Sequence, residues 1–131
     1  DLFEVMRGAS LSVRAAKQDA SALPSSAALM MATVCGAQAP GRSRECGMLQ
    51  VGMDADIALV DFTAPHLMPC HNVLNGLVFS AKGGDVAMTM VRGNILYQNG
   101  RFPTIDLNAV VEELTGYAIP RLFAKEEDHV G

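Results

Sequence analysis

Apolar residues recur at spacings of three and four along the first nineteen residues, which predicts an amphipathic helix. The apolar stripe consists of Leu2, Met6, Ala9, Val13 and Ala16. Asp1 followed by Glu4 is a capping-box pattern, so we expect the helix to begin there. Arg7, Arg14 and Lys17 lie off the stripe.

A second helix is predicted over residues 25–39, after Pro24 in a position typical of a first helical turn. Pro40 and Gly41 are expected to end this helix. Many residues between them are small, which allows close packing against a neighbour. The first forty residues thus read as helix, short loop, helix.

After about residue 46, the apolar residues occur in short runs that are typical of strands. Residues 57–60 form an apolar run between two aspartates, as in a buried strand. A short strand is also expected at residues 48–51, between Gly47 and Gly52. The apolar patch at residues 72–80 is ambiguous, and we interpret it as a helical segment.

The clearest strand pair follows. Residues 86–91 predict one strand, Arg92–Asn94 a turn and residues 95–97 the returning strand. Asn99–Gly100 predicts a second turn.

A last helix is expected after Asp106, with apolar residues at helical spacing. Pro120 should kink or interrupt it. The tail, residues 125–131, is expected to be frayed. Two helices, a small β unit and a closing helix indicate an α+β fragment of something larger, because the strands are too few for a complete sheet fold.

Composition narrows the function classes. The 131 residues are 50% hydrophobic and 18% charged, which excludes a disordered chain. The net charge is −4 with scattered basic residues, so neither a nucleic-acid binder nor a membrane-surface protein is indicated, and no apolar run is long enough to span a membrane. The cysteines, Cys35, Cys46 and Cys70, are odd in number and widely spaced, which favours the cytoplasm over a disulfide framework.

The three histidines are candidate metal ligands. His66 and His71 flank Cys70, but a zinc site prefers two closely spaced pairs, and a structural role is favoured. His129 lies in the charged tail and is interpreted as solvated.

Three carboxylates bracket the middle strand, namely Asp54, Asp56 and Asp61. An acid–base role is conceivable, but turn and strand-end roles are favoured. Gly83–Gly84 precedes a strand rather than a helix, so it lacks the setting of a phosphate loop. Ser25–Ser26 lacks a nucleophile elbow. The residues alone therefore identify no nucleophile, metal set or phosphate loop.

The stretch Gly47–Asp61 resembles the pattern G-x-L-x-x-G-x-x-A-D-hydrophobic-x-hydrophobic-x-D found near the C-terminus of amidohydrolase-superfamily enzymes. Other segments resemble the branch of adenosine- and S-adenosylhomocysteine-type deaminases and chlorohydrolases, in the same order along the chain. They are Asp1–Arg7, Ala32–Ala37, Pro65–Pro69, Asn75–Ala81 and Val86–Phe102.

The resemblance implies a (β/α)8 barrel with a divalent metal, commonly zinc, beside a composite β-sandwich. Residues 1–46 would be late barrel helices. Residues 47–104 would be C-terminal sandwich strands, with a helical segment near 72–80, and residues 105–131 a terminal helix and tail. The family's H-x-H pair, its two further histidines and its aspartate ligand are missing from the sequence. We therefore assign no catalytic, cofactor-binding or metal-binding residue in this chain.

The leading hypothesis is the C-terminal part of a metal-dependent hydrolase of C–N bonds, a deaminase of purine nucleoside-like or related heterocyclic substrates. The chain alone would be inactive scaffold, and its partner would be the N-terminal remainder, with a homo-oligomer left open. One alternative is a free-standing, non-catalytic protein-interaction domain that offers an exposed strand edge. Another is a chlorohydrolase or guanine-type deaminase on the same fold.

Overall fold

The structure, a computed structural model, describes residues 1–123. Its α-helices are α1 (Leu2–Lys17), α2 (Ser25–Met30), α3 (Gly36–Gln38), α4 (Val73–Phe79), α5 (Leu107–Glu113) and α6 (Ile119–Phe123). Its strands are β1 (Ile57–Val60), β2 (Val86–Val91) and β3 (Asn94–Gln98). The expectations for His129 and for the tail at residues 125–131 fall outside the described residues.

Both N-terminal helices are confirmed. Asp1 caps α1, since its Oδ1 accepts a hydrogen bond from the backbone N–H of Phe3 at 2.9 Å. The second helix runs from α2 through one π-helical turn, Met31–Cys35, into α3. Beyond α3 the chain turns at Gly41, whose φ of +78° favours glycine.

The packed face of α1 differs from the predicted stripe. Met6 and Ser10 are buried, whereas Leu2 of the stripe is 56% exposed. Arg7 and Arg14 lie on the packed side, because a long arginine stem can cover apolar surface while its guanidinium finds an acceptor. Apolar spacing therefore identified the helix and misplaced part of its contact face.

The hydrophobic core lies where α1, α2 and α4 meet. Met6, Ala28 and Val78 form its buried cluster, and Val78 has no exposed surface. Partly buried residues pack around them, namely Phe3, Leu29, Ala32 and Phe79. The helical interpretation of residues 72–80 is confirmed, with Asn72 as the N-cap of α4.

The three strands form one antiparallel sheet in the order β1-β2-β3. Ile57 of β1 pairs with Met90 of β2, and Met90 pairs with Ile95 of β3. The β2–β3 hairpin is confirmed. Its turn residues Arg92 and Gly93 both have positive φ, which matches the right-handed twist of the strands.

The expected strand at residues 48–51 is wrong. Gly47 (φ +102°) and Gly52 (φ +92°) bend the chain at both ends of this segment, which is irregular and enters a turn at Val51–Gly52. Leu49 and Val51 are 80% and 102% exposed. An apolar run this short, between two glycines in left-handed conformations, does not specify a strand without a partner.

The closing helix is confirmed at its start, where Asp106 Oδ1 accepts hydrogen bonds from the N–H groups of Asn108 and Ala109. A π-helical turn, Leu114–Ala118, follows α5, and α6 then carries Pro120. The α-helical pattern is thus interrupted before Pro120, but the chain stays helical through it. Among residues 1–123, no helix is long and apolar enough to cross a membrane.

Gly47 offers a test of close packing against the second helix. A Cβ at Gly47 would lie 2.8 Å from Ala37 Cβ and 3.1 Å from the Thr33 carbonyl oxygen, whereas a Cβ at Gly52 would meet nothing within 4 Å. Both glycines have positive φ, so both alanine variants incur backbone strain of about 1 kcal/mol. We expect Gly47→Ala to lower the free energy of unfolding by about 2 kcal/mol more than Gly52→Ala, because only the first overpacks. Urea unfolding of the two variants, each made as the complete reading frame that contains this chain, measures the difference, and equal losses would contradict the packing assignment.

Candidate functional site

The loop at residues 66–72, which contains the candidate ligands around Cys70, lines a cleft of about 290 Å³ together with α4. The structure brings His66, Cys70 and His71 to this one cleft. His66 is engaged elsewhere, because its Nε2 lies 2.9 Å from Asp85 Oδ2. Cys70 lies beside Gly76 of α4, where a Cβ on that glycine would be 3.8 Å from its Sγ.

Asp85 is the anchor of this region. Its side chain is 10% exposed, and its Oδ2 also accepts a hydrogen bond from the backbone N–H of Lys82 at 2.8 Å. The hydrogen bond with His66, supported by that of Lys82, holds the pKa of Asp85 below its ordinary value of 3.8 although desolvation opposes the shift. The charged carboxylate therefore stabilises the turn that carries it.

The turn Ala81–Asp85, here named the junction turn, receives side chains from α1. Asp1 Oδ2 accepts a hydrogen bond from the Gly83 N–H at 2.7 Å, and Arg7 Nη2 donates to the Ala81 carbonyl oxygen at 2.7 Å. Gly83 thus serves as a donor to a carboxylate rather than in a phosphate loop. The sequence pattern predicts only a capping role for Asp1, and no local signal marks its contact with a residue 82 positions away.

Ser25 has a comparable bridging contact. Its Oγ donates to Asn75 Oδ1, which joins the start of α2 to α4. Arg14 adds a further contact, since its guanidinium carbon lies 4.7 Å from the centre of the Phe79 ring. The polar groups around α4 therefore connect helices that are distant in sequence.

Asp54 and Asp56 both hold the hairpin turn. Asp54 Oδ2 lies 3.1 Å from Arg92 Nε and 3.8 Å from Arg42 Nη2. Asp56 Oδ1 accepts from the Arg92 N–H at 2.8 Å. Asp61, at the other end of β1, caps its own turn by accepting from the Thr63 N–H at 2.9 Å. The three carboxylates thus lie at turns and a strand end.

A metal ion finds no donor set in the described part of the chain. No group of three or more His, Cys, Asp or Glu side chains within residues 1–123 has an arrangement that could hold one. His66 is paired with Asp85, and the nearest carboxylates to β1 are occupied by arginines and backbone N–H groups. The residues present do not fit a metal centre.

A mainly apolar depression has a volume of about 720 Å³. It runs between the second helix, the loop after it and β1. Its walls include Leu29, Ala37, Leu49 and Ile57, and Asp56 lies at its edge. Met48 and Leu49, two exposed apolar side chains of the loop at residues 48–51, line this groove.

Comparison with known proteins gives a consistent result. The model of the amidohydrolase family matches residues 1–96. A 5'-deoxyadenosine deaminase of Methanosarcina mazei is 47% identical over 113 residues, which are 86% of this chain and 26% of the relative. A 5-methylthioadenosine/S-adenosylhomocysteine deaminase of Haloquadratum walsbyi is 39% identical over 112 residues, which are 86% of this chain and 25% of the relative.

Solved structures give the same grouping. An adenosine deaminase from Xanthomonas campestris with bound zinc matches with a TM-score of 0.84 and 29% identity, over 91% of this chain and 27% of the other. The zinc complex of the atrazine chlorohydrolase TrzN from Arthrobacter aurescens matches with a TM-score of 0.77 and 28% identity, over 87% and 25%. The chain spans about a quarter of the length of the curated relatives it matches.

The His66–Asp85 pair makes stability depend on pH. The pKa of Asp85 is lowered in the folded protein, so its contribution is present above the ordinary value of 3.8 and is lost as pH falls through the lowered value. We expect the free energy of unfolding to decrease with falling pH below about pH 4, and Asp85→Asn to reduce this decrease.

His66→Ala is the matched partner variant, because it removes the largest cause of the shift and should also flatten the dependence. Urea unfolding between about pH 5 and pH 2.5 measures this dependence for the wild type and both variants, each made as the complete reading frame that contains this chain. A slope unchanged in Asp85→Asn would contradict the assignment.

Proposed function

This chain belongs to the amidohydrolase family, and we propose that it is the C-terminal part of a metal-dependent deaminase that acts on 5'-modified adenine nucleosides. The observation that carries the proposal is the 47% identity to a 5'-deoxyadenosine deaminase over 86% of the chain. The second group of relatives acts, by name, on 5-methylthioadenosine and S-adenosylhomocysteine. These substrates share an adenine nucleoside altered at the 5' position. The reaction replaces the amino group of the adenine ring by the oxygen of water and releases ammonia.

In this proposal the chain supplies scaffold. Residues 1–46 are late helices of a (β/α)8 barrel, residues 47–104 the C-terminal part of a composite β-sandwich, and residues 105–131 a terminal helix and tail. The antiparallel sheet and the two leading helices support this division. α4 lies between the parts, since it belongs to the second stretch in sequence and packs on α1 and α2.

The metal ligands are proposed to lie in the remainder of the enzyme. Residues 1–123 offer no group of three ligands, while solved relatives carry zinc. The remainder is therefore the principal partner, the substrate is a small heterocyclic molecule, and no nucleic acid or membrane partner is proposed. All three cysteines are free thiols, which supports a cytoplasmic enzyme. A homo-oligomer stays open in this proposal.

A chlorohydrolase is the second candidate, because the similarity to TrzN extends over 87% of the chain with a TM-score of 0.77. Guanine-type deamination belongs to the same group of alternatives. In a barrel enzyme, loops at the catalytic face set the substrate, so the scaffold does not decide between them. The remaining alternative is not an enzyme. It is a free-standing domain that would bind another protein through the outer edge of β1.

Substrate tests separate these candidates. We expect the product of the complete reading frame that contains this chain to release ammonia from 5'-deoxyadenosine and 5-methylthioadenosine. Guanine should release none, and atrazine should release no chloride. Ammonia and chloride assays on the zinc-loaded protein measure these outcomes. Chloride release from atrazine without deamination of either nucleoside would favour the chlorohydrolase instead.

The behaviour of the isolated chain tests its role as scaffold. Within residues 1–123 the buried hydrophobic side chains are few, and apolar residues such as Leu49, Val51 and Leu122 are largely exposed. We expect residues 1–131 alone to be inactive and to unfold with little cooperativity, because so much apolar surface lacks cover. Intact mass, calorimetry and zinc content measure this. A single 13.9 kDa species with a sharp transition would favour the free-standing domain.

A further inference from the structure

The carboxylate of Asp1 binds two backbone N–H groups that are far apart in sequence. Oδ1 accepts from Phe3 in the first turn of α1 at 2.9 Å, and Oδ2 accepts from Gly83 in the junction turn at 2.7 Å. A charged acceptor strengthens both hydrogen bonds. Asp1 therefore fixes the start of α1 to the turn that leads into β2.

The junction turn is held rigid from its other side. Arg7, which follows Asp1 by six residues in α1, donates from Nη2 to the carbonyl oxygen of Ala81 in this turn. Asp85 binds both the Lys82 N–H and His66. Because these contacts immobilise the turn, the Gly83 N–H is a fixed point against which the start of α1 is placed.

The Asp1–Gly83 hydrogen bond lies at the start of α1, and this position relates it to the proposed reaction. This step depends on the proposed function, in which α1 is a barrel helix. Helices of a (β/α)8 barrel begin at the face where the strand–helix loops form the active site. In the proposed barrel the strand–helix loop of α1 ends at the N-cap, Asp1, so the Asp1–Gly83 hydrogen bond would set where that loop ends.

We propose that Asp1 is a positioning residue of the enzyme, which acts through Gly83 to hold the catalytic loop before α1 in its productive place. The junction turn, which leads into β2, would thereby brace the active site through a backbone N–H group. Asp1 touches neither the substrate nor a metal in this role.

Two variants break the contact from opposite sides. Asp1→Asn keeps a good helix cap, because asparagine caps helices as well as aspartate, but it leaves one oxygen for two donors. Gly83→Ala places a Cβ 3.3 Å from Asp1 Oδ2, so the carboxylate must move by a few tenths of an ångström and its hydrogen bond to the residue 83 N–H is lengthened. Gly84→Ala is the matched control, since a Cβ there meets nothing within 4 Å.

The measurement is ammonia release from 5'-deoxyadenosine by the complete zinc-loaded enzyme, with kcat and KM determined separately. We expect Asp1→Asn and Gly83→Ala each to lower kcat about tenfold while KM changes less than about twofold, because loop misplacement impairs the reaction more than binding. Gly84→Ala should match the wild type. The double variant should lose no more than the larger single loss, because both changes break one contact.

Calorimetry separates positioning from simple stabilisation. A lowered melting temperature with unchanged kcat in both contact variants would overturn the proposal. Equal kcat losses in Gly83→Ala and Gly84→Ala, or multiplying losses in the double variant, would overturn it as well. A wild-type enzyme that releases no ammonia contradicts the proposed function, whereas an active wild type with normal kcat in both contact variants contradicts only the role of Asp1.

Discussion

The burial of Val78 against Met6 and Ala28 is the contact on which the arrangement of this chain depends. Val78 belongs to α4, which lies in sequence between β1 and β2. When this side chain enters the helical core, at a gain of about 2 kcal/mol, both flanking strands are tied to α1 and α2. Gly76 permits the same helix to approach Phe62, because a Cβ there would lie 2.9 Å from that ring. The short helix α4 thus contacts both the helical core and the segment that follows β1.

Local patterns predicted most elements of the fold. The spacing of apolar residues identified the helices, and turn residues identified the hairpin, because both depend on neighbours in sequence. The face of α1 was predicted less well, since Arg7 and Arg14 pack inward through their stems. The strand expected at residues 48–51 failed for a related reason. A short apolar run forms a strand only when another strand pairs with it, and periodicity does not reveal partners.

The polar contacts around the junction turn show the same limit. Sequence reasoning selected His66 and explained Asp1 as a cap, but the Asp1–Gly83 and His66–Asp85 hydrogen bonds join residues 82 and 19 positions apart. α4, which lies in sequence between His66 and the junction turn, packs on α1 near these contacts. The family pattern, in contrast, contains tertiary information. Its first glycine, Gly47, lies against Ala37 and Thr33 where any larger residue would collide.

The two turns of the β region differ in how much change they can accept. Arg92 of the Arg92–Gly93 turn donates hydrogen bonds to the carboxylates of Asp54 and Asp56. Added residues in this turn would break both contacts. The Asn99–Gly100 turn is held by the bridge between Gln98 and Arg101 and by one backbone hydrogen bond from the Asn99 N–H to the Ala87 carbonyl oxygen of β2. Residues added at the second turn therefore displace no carboxylate. This turn is the better place for a longer loop, and for the insertion of a tag or a sensor peptide.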